Sequence, residues 1–172
     1  MTDMISNTHQ GERHVDTIKK YAPWALSLFP AIIFLDSLRF KFTNHPNTQE
    51  IFGRLDGWAA SFGAEGLFAQ TGLFSQYVIG TAELIASALL VLGLFGFRRL
   101  GVLGPAIGLA VMTGAISFHL FTPLGIDPNN DGGGLFMAAV GVWFSLAILL
   151  FLRRKEAIAL LGDLKSALFP QN

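Results

Sequence analysis

Apolar residues fill four stretches of this chain almost without interruption, at about Ala22–Phe40, Gln76–Phe97, Gly101–Phe121 and Gly134–Leu152. Between Leu100 and Phe118, and again between Gly134 and Leu152, no charged side chain occurs. About 20 helical residues at ~1.5 Å rise each cross a hydrocarbon core of ~30 Å, so each stretch predicts a membrane-spanning helix. The expected fold is an all-α membrane protein, a four-transmembrane-helix bundle spanning residues 22–152. A polar N-terminal tail (1–21) and a C-terminal tail (153–172) flank it. The first span is the least apolar, and Pro30 within it predicts a kink. Pro105 falls in the first turn of the third span, where a missing N–H costs little.

Charge sets the expected orientation. Lys19, Lys20, Arg98, Arg99, Arg153, Arg154 and Lys155 flank one set of helix ends, whereas the loop Thr122–Gly133 has Asp127 and Asp131 and no Lys or Arg. The positive-inside rule then predicts both termini in the cytoplasm and the loops 42–75 and 122–133 outside, with Lys41 and Arg54 as exceptions. The first span is expected to act as an uncleaved insertion signal, since residues 1–21 lack the short apolar core of a removable one. The setting would be a bacterial cytoplasmic membrane.

The loop 42–75 is too long to be structureless. Asn47 is placed to cap a helix whose third position is Glu50. Ile51, Phe52, Leu55, Trp58, Ala59 and Phe62 then recur at helical spacing. This amphipathic helix would lie along the outer interface or fold over the bundle as a lid. Gly66–Gln70 (GLFAQ) and Gly72–Gln76 (GLFSQ) form a short local duplication. Glu156–Phe169 predicts a second amphipathic helix, in the cytoplasmic tail.

Composition fits the membrane reading: of 172 residues 52% are hydrophobic and 14% charged, where a soluble domain carries roughly 25% charged. The formal net charge is zero, which removes the electrostatic basis for nucleic-acid binding. There is no cysteine, so thiol–disulfide exchange, thiolate metal sites and covalently attached haem are excluded. Redox chemistry would need a dissociable carrier or a partner subunit.

Polar residues inside apolar spans are where function is sought. At about 100° per residue, Gly104, Gly108, Ala115 and His119 of the third span fall within about 60° of one another, so His119 should point into the bundle. Gln76, Gly80, Glu83 and Ser87 share a stripe of the second span; Gly134, Ala138, Gly141 and Ser145 form a small-residue face on the fourth. Glu83 lies seven residues in, ~10 Å deep, and Asp36, Arg39 and His119 also fall at the outer ends of their helices. Glu83 and His119 are therefore candidates for proton transfer, and Asp36, Arg39, Lys41 and Trp58 for ligand contacts. Structural alternatives stand beside these roles. Arg39 can snorkel to the interface while pairing with Asp36, His119 can be a hydrogen-bonded interfacial residue, and Glu83 can pair with Arg39 or His119. One His with two carboxylates is too thin a donor set to predict a metal.

The segments FLDSLRFKFT (34–43), IGTAELIASALLVLGLF (79–95) and GAISFHLFTP (114–123) resemble the DoxX-like membrane proteins, over roughly Trp24–Leu152. Many relatives have a Gly and fewer charges where this chain has Asp36–Ser37–Leu38–Arg39. The resemblance implies a four-helix membrane bundle of the kind associated with thiosulfate:quinone oxidoreductase. Three readings follow: a quinone-associated redox accessory subunit or quinone-binding protein, a small-solute or lipid transporter or binding protein, and a docking subunit without activity of its own. The first implies a bound quinone, no covalent cofactor and a redox partner subunit. All three imply the lipid bilayer as a partner and admit a homo-oligomer.

Overall fold

Six helices and no strand make up the described residues. The computed structural model describes residues 2–97 and 99–169, with side chains from residue 17 onward except that of Lys19. Arg98 and the Lys19 side chain, both counted in the charge pattern above, lie outside the described residues. The helices are α1 (Thr2–Phe42), α2 (Pro46–Ala60), α3 (Gln76–Leu94), α4 (Leu100–Phe121), α5 (Gly134–Leu152) and α6 (Arg154–Leu168). Four segments are long and apolar enough to cross a membrane: Lys20–Phe42 of α1, and α3, α4 and α5. They coincide with the four expected spans to within a few residues.

Helix α1 packs on α3 and α5, and α4 packs on the same two, so the four spans form a square with α1 and α4 on one diagonal. Small residues on α4 permit the close approach. A Cβ on Gly104 would come within 2.7 Å of the Leu90 backbone nitrogen of α3, and one on Gly108 within 3.0 Å of the Phe34 ring. Phe34 itself is buried at the centre with Ala86, Leu90, Met112, Val142 and Leu146. On α5 the inward residues are Ala139, Val142, Leu146 and Leu149. The small face expected there turns aside, where Gly141 receives the Phe29 ring of α1. The reason is volume: bulky side chains have to fill the middle of the square.

The cap of helix α2 lies two residues before the expected Asn47. His45 is the N-cap, its Nδ1 accepting from Asn47 N at 3.3 Å, and Pro46 occupies the first helical position, for which its fixed φ suits it. Leu55 and Ala59 pack with Phe68 and Leu124 in a second small core against Phe118 of α4. Helix α2 therefore folds over this end of the bundle rather than lying apart from it. Asp56 Oδ1 accepts from Phe68 N at 3.0 Å and ties the following loop to the helix. The duplicated GLF segments pack on each other there: Phe74 N donates to Leu67 O at 2.9 Å, and Gly72 lies so close to the Gly66 and Leu67 carbonyls that no Cβ fits. At the start of α5, Asp131 accepts from Gly133 N (3.0 Å) and Leu135 N (2.8 Å), supplying a cap from outside the helix.

Candidate functional site

The inward face of α1 is set by its spacing. At about 100° per residue, Ser27, Ala31, Phe34 and Leu38 fall on one stripe, and Ser37 and Lys41 extend it. All four apex residues are buried. On α3 the stripe Gln76, Gly80, Glu83 and Ser87 is buried throughout. Where the two stripes meet, Gly80 leaves a channel: a Cβ there would lie 3.1 Å from the Phe42 ring and 3.4 Å from Lys41 Cδ. The aliphatic stem of Lys41 runs along that channel toward the bundle centre instead of snorkelling out.

Its ammonium reaches Glu83. Lys41 Nζ lies 2.9 Å from Glu83 Oε2 and 3.1 Å from Oε1, and the Glu83 side chain is 3% exposed. Ser37 closes the cluster, its hydroxyl donating to Glu83 Oε2 at 2.6 Å and accepting from Lys41 Nζ at 3.1 Å. The same hydroxyl lies 2.8 Å from Phe34 O, and its single proton serves one acceptor at a time. Seven residues into α3, the carboxylate sits ~10 Å below the helix start. An ionised carboxylate at that depth needs compensation, which one ammonium and one hydroxyl provide.

Above it a layer of amides joins four elements. Gln76 Nε2 donates to Lys41 O (2.7 Å) and to Asn44 Oδ1 (2.6 Å), while its Oε1 accepts from Gln49 Nε2 of α2 (2.6 Å). Asn44 Oδ1 also accepts from Tyr77 Oη at 2.8 Å. Asn44 holds the turn between α1 and α2 at φ 53°, a conformation Asn tolerates better than most residues. The buried Gln76 amide thus closes over the ion pair and latches α2 to the span bundle.

The other expected site residues go elsewhere. Asp36 and Arg39 pair with each other at 3.1 Å on the outside of α1, with side chains 58% and 70% exposed, and the Arg39 guanidinium lies over the Phe40 ring. Their angular position explains this: both sit well over 90° around the helix from Phe34. His119 is buried as expected, but its Nδ1–H donates to Gly125 O at 2.6 Å and its ring meets Phe136, and among the described residues it has no bond to Glu83. It fastens α4 to the next loop. Trp58 packs edge-on against Phe62 and Phe118 in the α2 core, away from the ion pair. The pairing of Glu83 with Arg39 or His119 is therefore corrected to a pairing with Lys41 and Ser37.

Of the predicted residues, Glu83 and Lys41 are brought together. Ser37, Asn44, Gln49 and Gln76 join them without having been singled out as site residues. The signal for Ser37 was its i, i+4 relation to Lys41; that for Gln76 was its place on the Glu83 stripe. Among the described residues no group of three or more metal-ligating side chains forms. Comparison with protein-family models, curated proteins and solved structures yields no match.

Proposed function

We propose that the protein is an integral membrane component that engages a lipophilic quinone-type carrier beside Glu83, as an accessory to a redox partner subunit. One observation carries this reading: a carboxylate, an ammonium and a hydroxyl are gathered between two largely apolar helices, ~10 Å from the start of α3. Lys41 and Ser37 hold donors suited to a quinone oxygen, and Glu83 holds or yields a proton at its carboxylate. A bound quinone would supply the two-electron chemistry for which a cysteine-free chain has no centre of its own. The likeness to DoxX-like proteins points the same way. The basic residues at the α6 end support an arrangement with that end, and both termini, on the cytoplasmic side.

A second reading is favoured by the closure of the cluster. Lys41 Nζ has three acceptors in reach and both Glu83 oxygens are bonded, so a ligand has to displace one of these bonds. In that reading the trio is a clasp between α1 and α3, in a binding, transport or docking protein.

The experiment is to reconstitute the protein with a short-chain quinone and measure bound quinone by extraction and by its ultraviolet change on reduction. Stoichiometric binding that drops at least about ten-fold in Ser37→Ala, a change that keeps the ion pair, supports the first reading. Wild-type protein that retains no quinone sinks it.

A further inference from the structure

The α6 end carries chemistry that the Glu83 cluster leaves unused. Helix α6 follows the last span after one intervening residue, Arg153, and none of its residues is buried. Ile158, Leu161, Leu164 and Leu168 share one face, and each is more than half exposed. An ion pair between Arg99 Nη2 and Asp163 Oδ2, at 2.7 Å, holds α6 back toward the α3–α4 turn. A helix that begins where a span ends, with an apolar face uncovered by protein, starts at the depth of the lipid headgroups.

Arg153 supplies the second, independent observation. Its guanidinium lies in a notch formed by two glycines: a Cβ on Gly101 would lie 1.4 Å from Nη1, too close to coexist with it, and one on Gly93 would lie 3.4 Å from it. Five N–H donors are thus brought to a half-buried place, yet among the described residues the only hydrogen bond of that side chain is a long one, 3.5 Å from Nη2 to Gly93 O. Among the described residues no carboxylate lies within ion-pair distance of it. Burial draws its pKa down, with the Glu156 charge acting the other way. A guanidinium does not shed its proton, so a partly desolvated one with unmatched donors calls for an anion.

We propose that this end of the molecule binds anionic phospholipid, Arg153 taking the headgroup phosphate at the Gly93–Gly101 notch while the Ile158–Leu168 face of α6 rests on the acyl chains. A phosphodiester presents two free oxygens to the guanidinium fork. Arg154 and Lys155, in the first turn of α6, add positive charge at the same level and favour an anionic over a zwitterionic headgroup. The same charges disfavour a second copy of this chain as the occupant.

The test uses the full chain in nanodiscs of phosphatidylcholine alone or with a third phosphatidylglycerol. Because the chain has no cysteine, spin labels can be placed singly at Leu161→Cys and Ser166→Cys. In the anionic discs the Leu161 label is expected to be shielded from a water-soluble relaxing agent and the Ser166 label exposed; equal accessibility overturns the proposal. Native mass spectrometry of wild-type protein should show phosphatidylglycerol retained over phosphatidylcholine. Arg153→Gln should cut that preference about five-fold, and Arg153→Lys, which keeps the charge but loses the fork, should fall between the two. Equal preference in wild type and Arg153→Gln, or displacement of the lipid by inorganic phosphate, overturns the assignment. So does shielding of Leu161 that depends on protein concentration, which marks a second copy. The wild-type and label arms decide the matter even where Arg153→Gln folds poorly.

Discussion

Helix α1 takes part in two acid–base pairs through residues 36–41, and they lead opposite lives. Asp36–Arg39 lies on the outside, joined along one helix by an i, i+3 contact with both side chains more than half exposed. Lys41–Glu83 lies inside, joins two helices, and is almost wholly removed from solvent. Formal charge and hydrogen-bond lengths are similar, but the surroundings differ. The outer pair lies in the last two turns of its span, where the long Arg39 side chain reaches toward the headgroup level, so it gives up less hydration than the inner pair and contributes less. The buried pair has already lost hydration, so each member depends on the other for compensation. A pair of charges at a helix end therefore says little until its angular position is known.

The largest expected effect breaks the inner pair on one side. Glu83→Ala should destabilise the bundle by about 3–5 kcal/mol, measured as reversible unfolding in detergent, because it strands the Lys41 ammonium. The double variant Lys41→Met with Glu83→Leu should recover most of that loss. Asp36→Asn should change the same measurement by less than about 0.5 kcal/mol; an equal cost for Asp36→Asn and Glu83→Ala would dissolve the contrast. Next, Gly80→Ala should cost about 1–3 kcal/mol by crowding Phe42 and the Lys41 stem. Gly57→Ala, in α2 with open space beside it, should be neutral or slightly stabilising.

Smaller again, Gln76→Ala should cost about 1–2 kcal/mol, since it leaves the Lys41 carbonyl and the Gln49 amide without their partner. It should also raise the labelling rate of a cysteine placed at Ala59, which is buried on the inner face of α2. Unchanged labelling would show that the amide layer does not latch α2. The smallest effect lies in the loop before α5. The backbone N–H of Leu135 above all, and also the Asp127 side chain and the Gly133 and Gly134 N–H groups, hold the Asp131 carboxyl below its usual range, partly opposed by burial. A lowered folded-state pKa contributes stability above the ordinary carboxylate value and loses it as pH falls through the folded value. Protection of the Leu135 amide, taken relative to its intrinsic exchange rate, should accordingly fall in acid, and Asp131→Asn should flatten that dependence.

Much of the site was within reach of helical geometry. The stripe Gln76–Gly80–Glu83–Ser87 and the inward turn of His119 follow from spacing, and both are seen. On α1, depth alone groups Asp36, Arg39 and Glu83 at one level, but angle separates them: Phe34 and Lys41 are seven residues apart and nearly in register, whereas Asp36 and Arg39 lie across the axis. The partner of Glu83 was legible in that sense and was obscured by weighing depth without angle. The His45 cap was hidden because an imidazole nitrogen seldom substitutes for Asn or Ser in that role.

The linear chain alone determined that there are four helices long and apolar enough to cross a membrane, where each lies to within a few residues, and which polar residues fall within them. Those are local matters, fixed by hydropathy over a helix length and by the period of the α-helix. The three-dimensional packing decided which charges meet. That depends on the rotation of one helix about its axis relative to its neighbour, and here on the single missing side chain at Gly80 that lets a lysine stem pass inward. Rotation and close approach are properties of pairs of helices, so no one segment contains them.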